Sequence, residues 1–102
     1  MRFYQLIDQH QFDQAAGLWT PRMRATYPPA QNITERFLNT QEITVQHAQV
    51  SASAEAAGRV TVSVALLEVV GSPSATRHWV GTWQLVRVSD GWLLDQPNLQ
   101  QE

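Results

Sequence analysis

Hydrophobic and polar positions change their rhythm once along the chain. In the first forty residues the apolar positions recur with helical spacing. Phe3, Leu6 and Ile7 predict a short first helix ending near Gln9. Phe12, Ala15, Ala16 and Trp19, at i, i+3, i+4 and i+7, predict a second. Thr20-Pro21 reads as an N-cap followed by proline at the first helical position, opening one more turn through Arg24. Tyr27-Pro28-Pro29 stops that turn, because proline lacks an N–H and disfavours helix in the residue before it. Asn32 with Glu35 three residues later has the form of a capping box for a third short helix, Ile33 to Asn39.

From Glu42 the period becomes two. Ile43 and Val45 share a face, then the apolar phase slips to Ala48, Val50 and Ala52, which predicts a β-bulge near Gln46-His47. Glu55-Ala56-Ala57-Gly58 is a weak turn signal. Arg59 to Val70 is a long strand with Val60, Val62, Val64 and Leu66 on one face, and Gly71-Ser72-Pro73-Ser74 turns the chain again. The strongest stretch runs from Arg77 to Asp95, a β-hairpin turning at Ser89-Asp90-Gly91. Trp79, Gly81, Trp83 and Leu85 occupy one face of its first strand. On its second strand Trp92 and Leu94 share a face, which assigns Asp95 to the solvent side. Residues 97–102 read as a polar tail after a single domain spanning 1–96. Short helices followed by a bent antiparallel sheet give an α+β order, in which the helices bury their apolar stripes against the concave side.

Composition narrows the function classes. A length of 102 residues with 43% hydrophobic content is enough for one core. The net charge is −2 and every basic residue is a scattered arginine, which argues against a nucleic-acid partner. With no cysteine there is no thiolate metal site or cysteine nucleophile, and no pair of histidines or carboxylates has ligand spacing, so no metal or cofactor is expected. No apolar run is long enough to insert in a membrane. The helix-first start suits a domain cut from a longer protein.

The stretches FYQLIDQHQFDQAAGLWTPRM, the valine-rich strand 59–70 and GTWQLVRVSDGWLLD resemble the nuclear transport factor 2-like superfamily. Ketosteroid isomerases and polyketide cyclase-like (SnoaL-like) enzymes share that fold. The resemblance extends over residues 2–96 and implies a cone-shaped α+β roll: three short N-terminal helices packed on a strongly curved, four-stranded, mostly antiparallel sheet. It is closest in kind to small non-catalytic domains appended to secreted or membrane-anchored bacterial proteins. The compartment stays open between an extracytoplasmic segment of such a protein and the cytoplasm.

The resemblance also implies where chemistry would sit. Isomerase-type members pair a carboxylate base on the sheet with an oxyanion hole built from a tyrosine hydroxyl and a protonated carboxyl. Tyr4 lies where such a tyrosine occurs, and Glu68, on the face of Val64 and Leu66, is the inward-pointing carboxylate. Dehydratase-like members use a histidine, and His47 at the bulge is the candidate, with Asp13 a further carboxylate; His78 falls on the outer face. No spacing argument brings two carboxylates together. The rival reading is a pocket for a small apolar ligand, lined by Trp19 and Trp83 with Arg22 and Tyr27 at its mouth, or a cone plugged outright by its tryptophans. Arg22 and Arg24 could hold an anion, and Asn32-Ile33-Thr34 matches a glycosylation sequon but serves as a helix cap. The expectation is therefore a ligand-binding or interaction module, dimeric through the outer sheet face. A small-molecule acid–base enzyme is the alternative.

Overall fold

The computed structural model describes residues 1–71 and 74–102. Its elements are α1 (Arg2–Asp8), α2 (Phe12–Ala16), α3 (Pro21–Thr26) and a wide π-type helical segment α4 (Ala30–Glu35). Four strands follow: β1 (Thr40–Ala54), β2 (Arg59–Gly71), β3 (Ser74–Val88) and β4 (Gly91–Gln101). The strands form one antiparallel meander in the order β1-β2-β3-β4. The expected turn at Ser72-Pro73 lies outside the described residues.

The helices are short because the chain stops each one. At the end of α1, His10 adopts a left-handed φ of 57°. Its N–H bonds the Ile7 carbonyl while the Gln11 N–H reaches back to Leu6, a Schellman arrangement without glycine. The second helix ends at Ala16 instead of running on to Trp19, and the freed segment pairs with the sheet. Leu94 N–H donates to the Leu18 carbonyl and Thr20 N–H to the Leu94 carbonyl, so Trp19 forms a parallel bridge to β4. Thr20 caps α3, its Oγ1 accepting from Met23 N–H. The third expected helix begins earlier than its capping-box pattern indicates. α4 starts at Ala30 with Pro29 as its N-cap, and Asn32 Nδ2 donates back to the Pro28 carbonyl rather than capping a helix.

The register slips at four places, at Gln41, Gln46 and Ser51 on β1 and at Asp95 on β4. Val45 pairs with Leu66 but His47 with Ala65, so Gln46 is the extra residue where the slip in phase falls. On β4, Leu94 pairs with Leu85 and Gln96 with Gln84, leaving Asp95 as the extra residue. The bulge at Asp95 resets the alternation on β4, so Pro97 and Leu99 continue the inner face that Leu94 began. Residues 97–101 are thus paired to β3 rather than trailing as a tail. At Gly81 (φ 153°) a Cβ would sit 1.9 Å from the Asn98 carbonyl oxygen, so the close approach of β4 requires glycine there.

The core lies between the helices and the concave face. Phe3, Tyr4, Leu6 and Ile7 of α1 are buried against Ile43, Val64, Leu66, Trp83 and Leu94 of the sheet. Phe3 sits at the centre of an aromatic cluster, edge-on to Tyr4 at 5.0 Å and stacked on Trp19 at 5.7 Å. The arrangement is the expected α+β cone.

Candidate functional site

The concave face and helices leave a cavity of about 230 Å³. Its walls are aromatic and aliphatic, with Phe3, Trp19, Leu66, Trp79 and Trp83 among them, and Tyr27, Asn32 and Arg36 toward the solvent side. Trp92, the remaining tryptophan, is not part of the lining; the Arg87 guanidinium lies 5.0 Å from its ring centroid. The tryptophans therefore line the cone without filling it.

Polar groups in this apolar setting are bound to one another. Trp83 Nε1 donates to the Tyr4 hydroxyl at 2.8 Å. Burial pushes the Tyr4 hydroxyl well above the usual tyrosine range, more than the Trp83 hydrogen bond offsets, so it stays protonated. Glu68 is fully buried at the edge of this region. Arg36 grips it bidentately, Nη1 to Oε2 at 2.8 Å and Nη2 to Oε1 at 2.9 Å, while Thr40 Oγ1 donates to Oε2 and Trp79 Nε1 to Oε1. Burial by itself would raise the Glu68 carboxyl, but these donors outweigh it and hold it below its ordinary value. Both oxygens already accept two hydrogen bonds, which is a carboxylate's full complement. The guanidinium of Arg36 lies 4.5 Å from the Phe37 ring centroid and 5.3 Å from that of Trp79.

Arg36 went unnoticed in the sequence because nothing local distinguishes it from other arginines; only the fold brings it, just past α4, against Glu68 of β2. Trp19 is among the cavity-lining residues, and its buried Nε1–H has no partner among the described residues.

The other expected site residues lie elsewhere. His47 is exposed beside the Gln46 bulge and lines a polar groove with Asp8, Glu42 and Tyr4. Asp13 and His78 are exposed. Arg22 is outside the cavity lining and reaches Asp95 instead, through Nε at 3.1 Å and through Nη2 to the backbone carbonyl. Asp95 itself is buried, contrary to the strict alternation that assigned it to solvent. As the bulged residue of β4 it turns to accept from Thr20 Oγ1 at 2.7 Å. Arg24 Nη1 donates to the Ala16 and Trp19 carbonyls and so ends α2 rather than facing an anion. Among the described residues no three His, Cys, Asp or Glu side chains come together as a metal site. No helix among them is long and apolar enough to cross a membrane.

A solved structure from Streptomyces avermitilis superposes on this arrangement with a TM-score of 0.60 over 97% of this chain and 87% of its own. The chain has the nuclear transport factor 2-like fold. That neighbour is described as a candidate dehydratase of the NTF2-like family, and its sequence identity to this chain is 19%. No protein-family model and no curated protein matches the sequence. The NTF2-like cone thus frames a cavity with a neutral tyrosine in its wall and a carboxylate locked in an ion pair behind that wall.

Proposed function

We propose that this NTF2-like domain is a binding module that takes a small, largely apolar molecule into its cone. The observation that carries the reading is the lining: an aromatic cavity in which the two groups best placed for acid–base chemistry are engaged. Glu68 has no free lone pair to accept a proton from a substrate, and it has every reason to remain ionised. Tyr4 can donate a hydrogen bond but does not ionise near neutral pH. The volume indicates the size of ligand. It exceeds the ~150 Å³ that admits benzene and falls below the ~300–1,000 Å³ typical of drug-sized molecules. One ring, or two small fused ones, fits that interval. An acid–base enzyme remains the second reading, favoured by the description of the S. avermitilis neighbour. It requires a proton acceptor facing the cavity, a role that Glu68 cannot take without releasing Arg36.

The tryptophans provide the test. Titrating the ¹⁵N-labelled protein with 1-indanone should move the indole N–H resonances of Trp19, Trp79 and Trp83 and leave that of Trp92 in place. No movement, or movement of Trp92 alone, would overturn the binding reading. We further propose association through the outer face of β2 and β3, where Leu67, Val69 and Val80 are half-buried, and a place as an accessory domain in a larger bacterial protein. Sedimentation of wild type and of Leu67→Glu checks the first point; a monomer at high concentration in both would refute it.

A further inference from the structure

The charge state of the cavity wall carries a more specific conclusion about the ligand, and it rests on the binding reading above. Arg36 is the charged side chain among the lining residues, with Glu68 directly behind it in a two-point ion pair. Arg77, which pairs across from Glu68 on β3, does not line the cavity. The wall is therefore electrically neutral where an ordinary arginine would make it cationic. The guanidinium still has hydrogen-bonding capacity. Of its five N–H groups, the fork to Glu68 occupies one on Nη1 and one on Nη2, and the guanidinium makes no other hydrogen bond among the described residues. Its side chain is 34% exposed and belongs to the cavity lining. Donors also predominate deeper in. The Tyr4 oxygen accepts from Trp83 while its own O–H has no acceptor among the described residues. The side-chain acceptors left over, Asn32 Oδ1 and the Tyr27 hydroxyl, stand toward the solvent side.

We infer that the cone selects uncharged ligands bearing a hydrogen-bond acceptor, the class of cyclic or aromatic ketones, lactones and ethers, and that Glu68 sets this selectivity by neutralising Arg36. A carboxylate would enter an apolar wall holding no net positive charge, and leaving an anion without compensation there is costly. An ammonium group would meet donors where it needs acceptors. A plain hydrocarbon fits the walls but leaves the Arg36 protons without a partner. A neutral carbonyl satisfies both requirements. Glu68 is thus a specificity-determining residue that acts through Arg36, not a catalytic one.

Four probes of one shape separate these cases: 1-indanone, indane, 1-aminoindane and indane-1-carboxylate, each titrated calorimetrically into wild type and into Glu68→Gln. In wild type 1-indanone should bind about 2–10-fold tighter than indane, the worth of one hydrogen bond, and tighter than either charged probe. Glu68→Gln keeps the shape of the side chain: Oε1 keeps Arg36 Nη2 and Trp79, while the amide NH₂ donates to the Thr40 hydroxyl and gives up the bond from Arg36 Nη1. It leaves Arg36 with an uncompensated charge, so the affinity of the carboxylate relative to the ketone should rise about 10-fold or more, as for a hydrogen bond to a charged group. Equal binding of indane and 1-indanone, preference of wild type for the carboxylate, or an unchanged ratio in a folded Glu68→Gln would each overturn the inference while leaving the pocket intact. Binding of none of the four would overturn the binding reading and the inference with it. If Glu68→Gln does not fold, wild type decides alone: the Arg36 Nε–H resonance should shift with 1-indanone and stay in place with indane, and equal shifts refute the proposal.

Discussion

At the scale of single residues, the carboxylate beside the cavity has its bonding capacity filled, while donors on Arg36, Tyr4 and Trp19 stay without partners among the described residues. Glu68 accepts four hydrogen bonds, and Trp83 bonds Tyr4 while packing against Phe3 at 6.0 Å. Trp83 is 3% exposed and belongs both to the core and to the cavity wall. Trp83→Ala should therefore cost about 3–5 kcal/mol of stability in urea unfolding. A near-neutral result would mean that this wall does not support the core. The spacing of Trp79 and Trp83 was legible in the sequence because alternation along a strand is a local property. The partners of Glu68 were not legible: Arg36, Thr40 and Trp79 come from three different elements, and no spacing rule links them.

At the scale of elements, irregularities set the geometry. The bulge at Gln46 announced itself as a slip in apolar phase, since β1 carries valine or isoleucine on one side of the slip and alanine and valine on the other. The bulge at Asp95 left no such trace. Beyond it Pro97 and Leu99 alternate with Gln96, Asn98 and Gln100, a pattern of period two too sparse in apolar residues to be distinguished from a polar tail. The proline suits an edge strand, which β4 is. Gly81 is the other half of this arrangement. A Gly81→Ala substitution meets the β4 backbone and a φ that L-residues avoid, a conformation costing about 1–3 kcal/mol by itself. Hydrogen exchange should then show residues 97–101 losing protection while α1 and the β1–β2 pair keep theirs. Unchanged protection in β4 would show that its end is held independently of Gly81.

At the scale of the whole molecule, two buried carboxylates tie helices to the sheet. Glu68 joins β2 to Arg36, beside α4, and to Thr40 at the start of β1. Asp95 joins β4 to Thr20 and Arg22 at the start of α3, with Arg59 of β2 at 3.8 Å. Burial raises both carboxyls, but Thr20 and Arg22 outweigh it at Asp95 as Arg36 and Thr40 do at Glu68, and each is held below its ordinary value. Near and below those ordinary values, 4.5 for Glu68 and 3.8 for Asp95, the unfolded chain takes up protons that the folded one refuses. Stability is then complete above that range and is lost as the pH falls through it toward the lowered folded values. The urea midpoint should accordingly drop on acidification below about pH 4.5, and Glu68→Gln should flatten part of that slope. A midpoint independent of pH there would mean that neither pair holds in solution.

By itself the sequence determined the short helices, the change of period near residue 40, the hairpin at Asp90-Gly91 and the inward tryptophans. Each is set by a few neighbouring residues through backbone preference and alternation, and together they specify the cone. The tertiary structure alone decided that the cone keeps a cavity, that Arg36 stands in its wall with Glu68 behind it, and that Asp95 turns inward. These depend on side chains far apart in the chain meeting at one place. The strength of a hydrogen bond or ion pair depends on that meeting and on the loss of water around it, neither of which is written in local pattern.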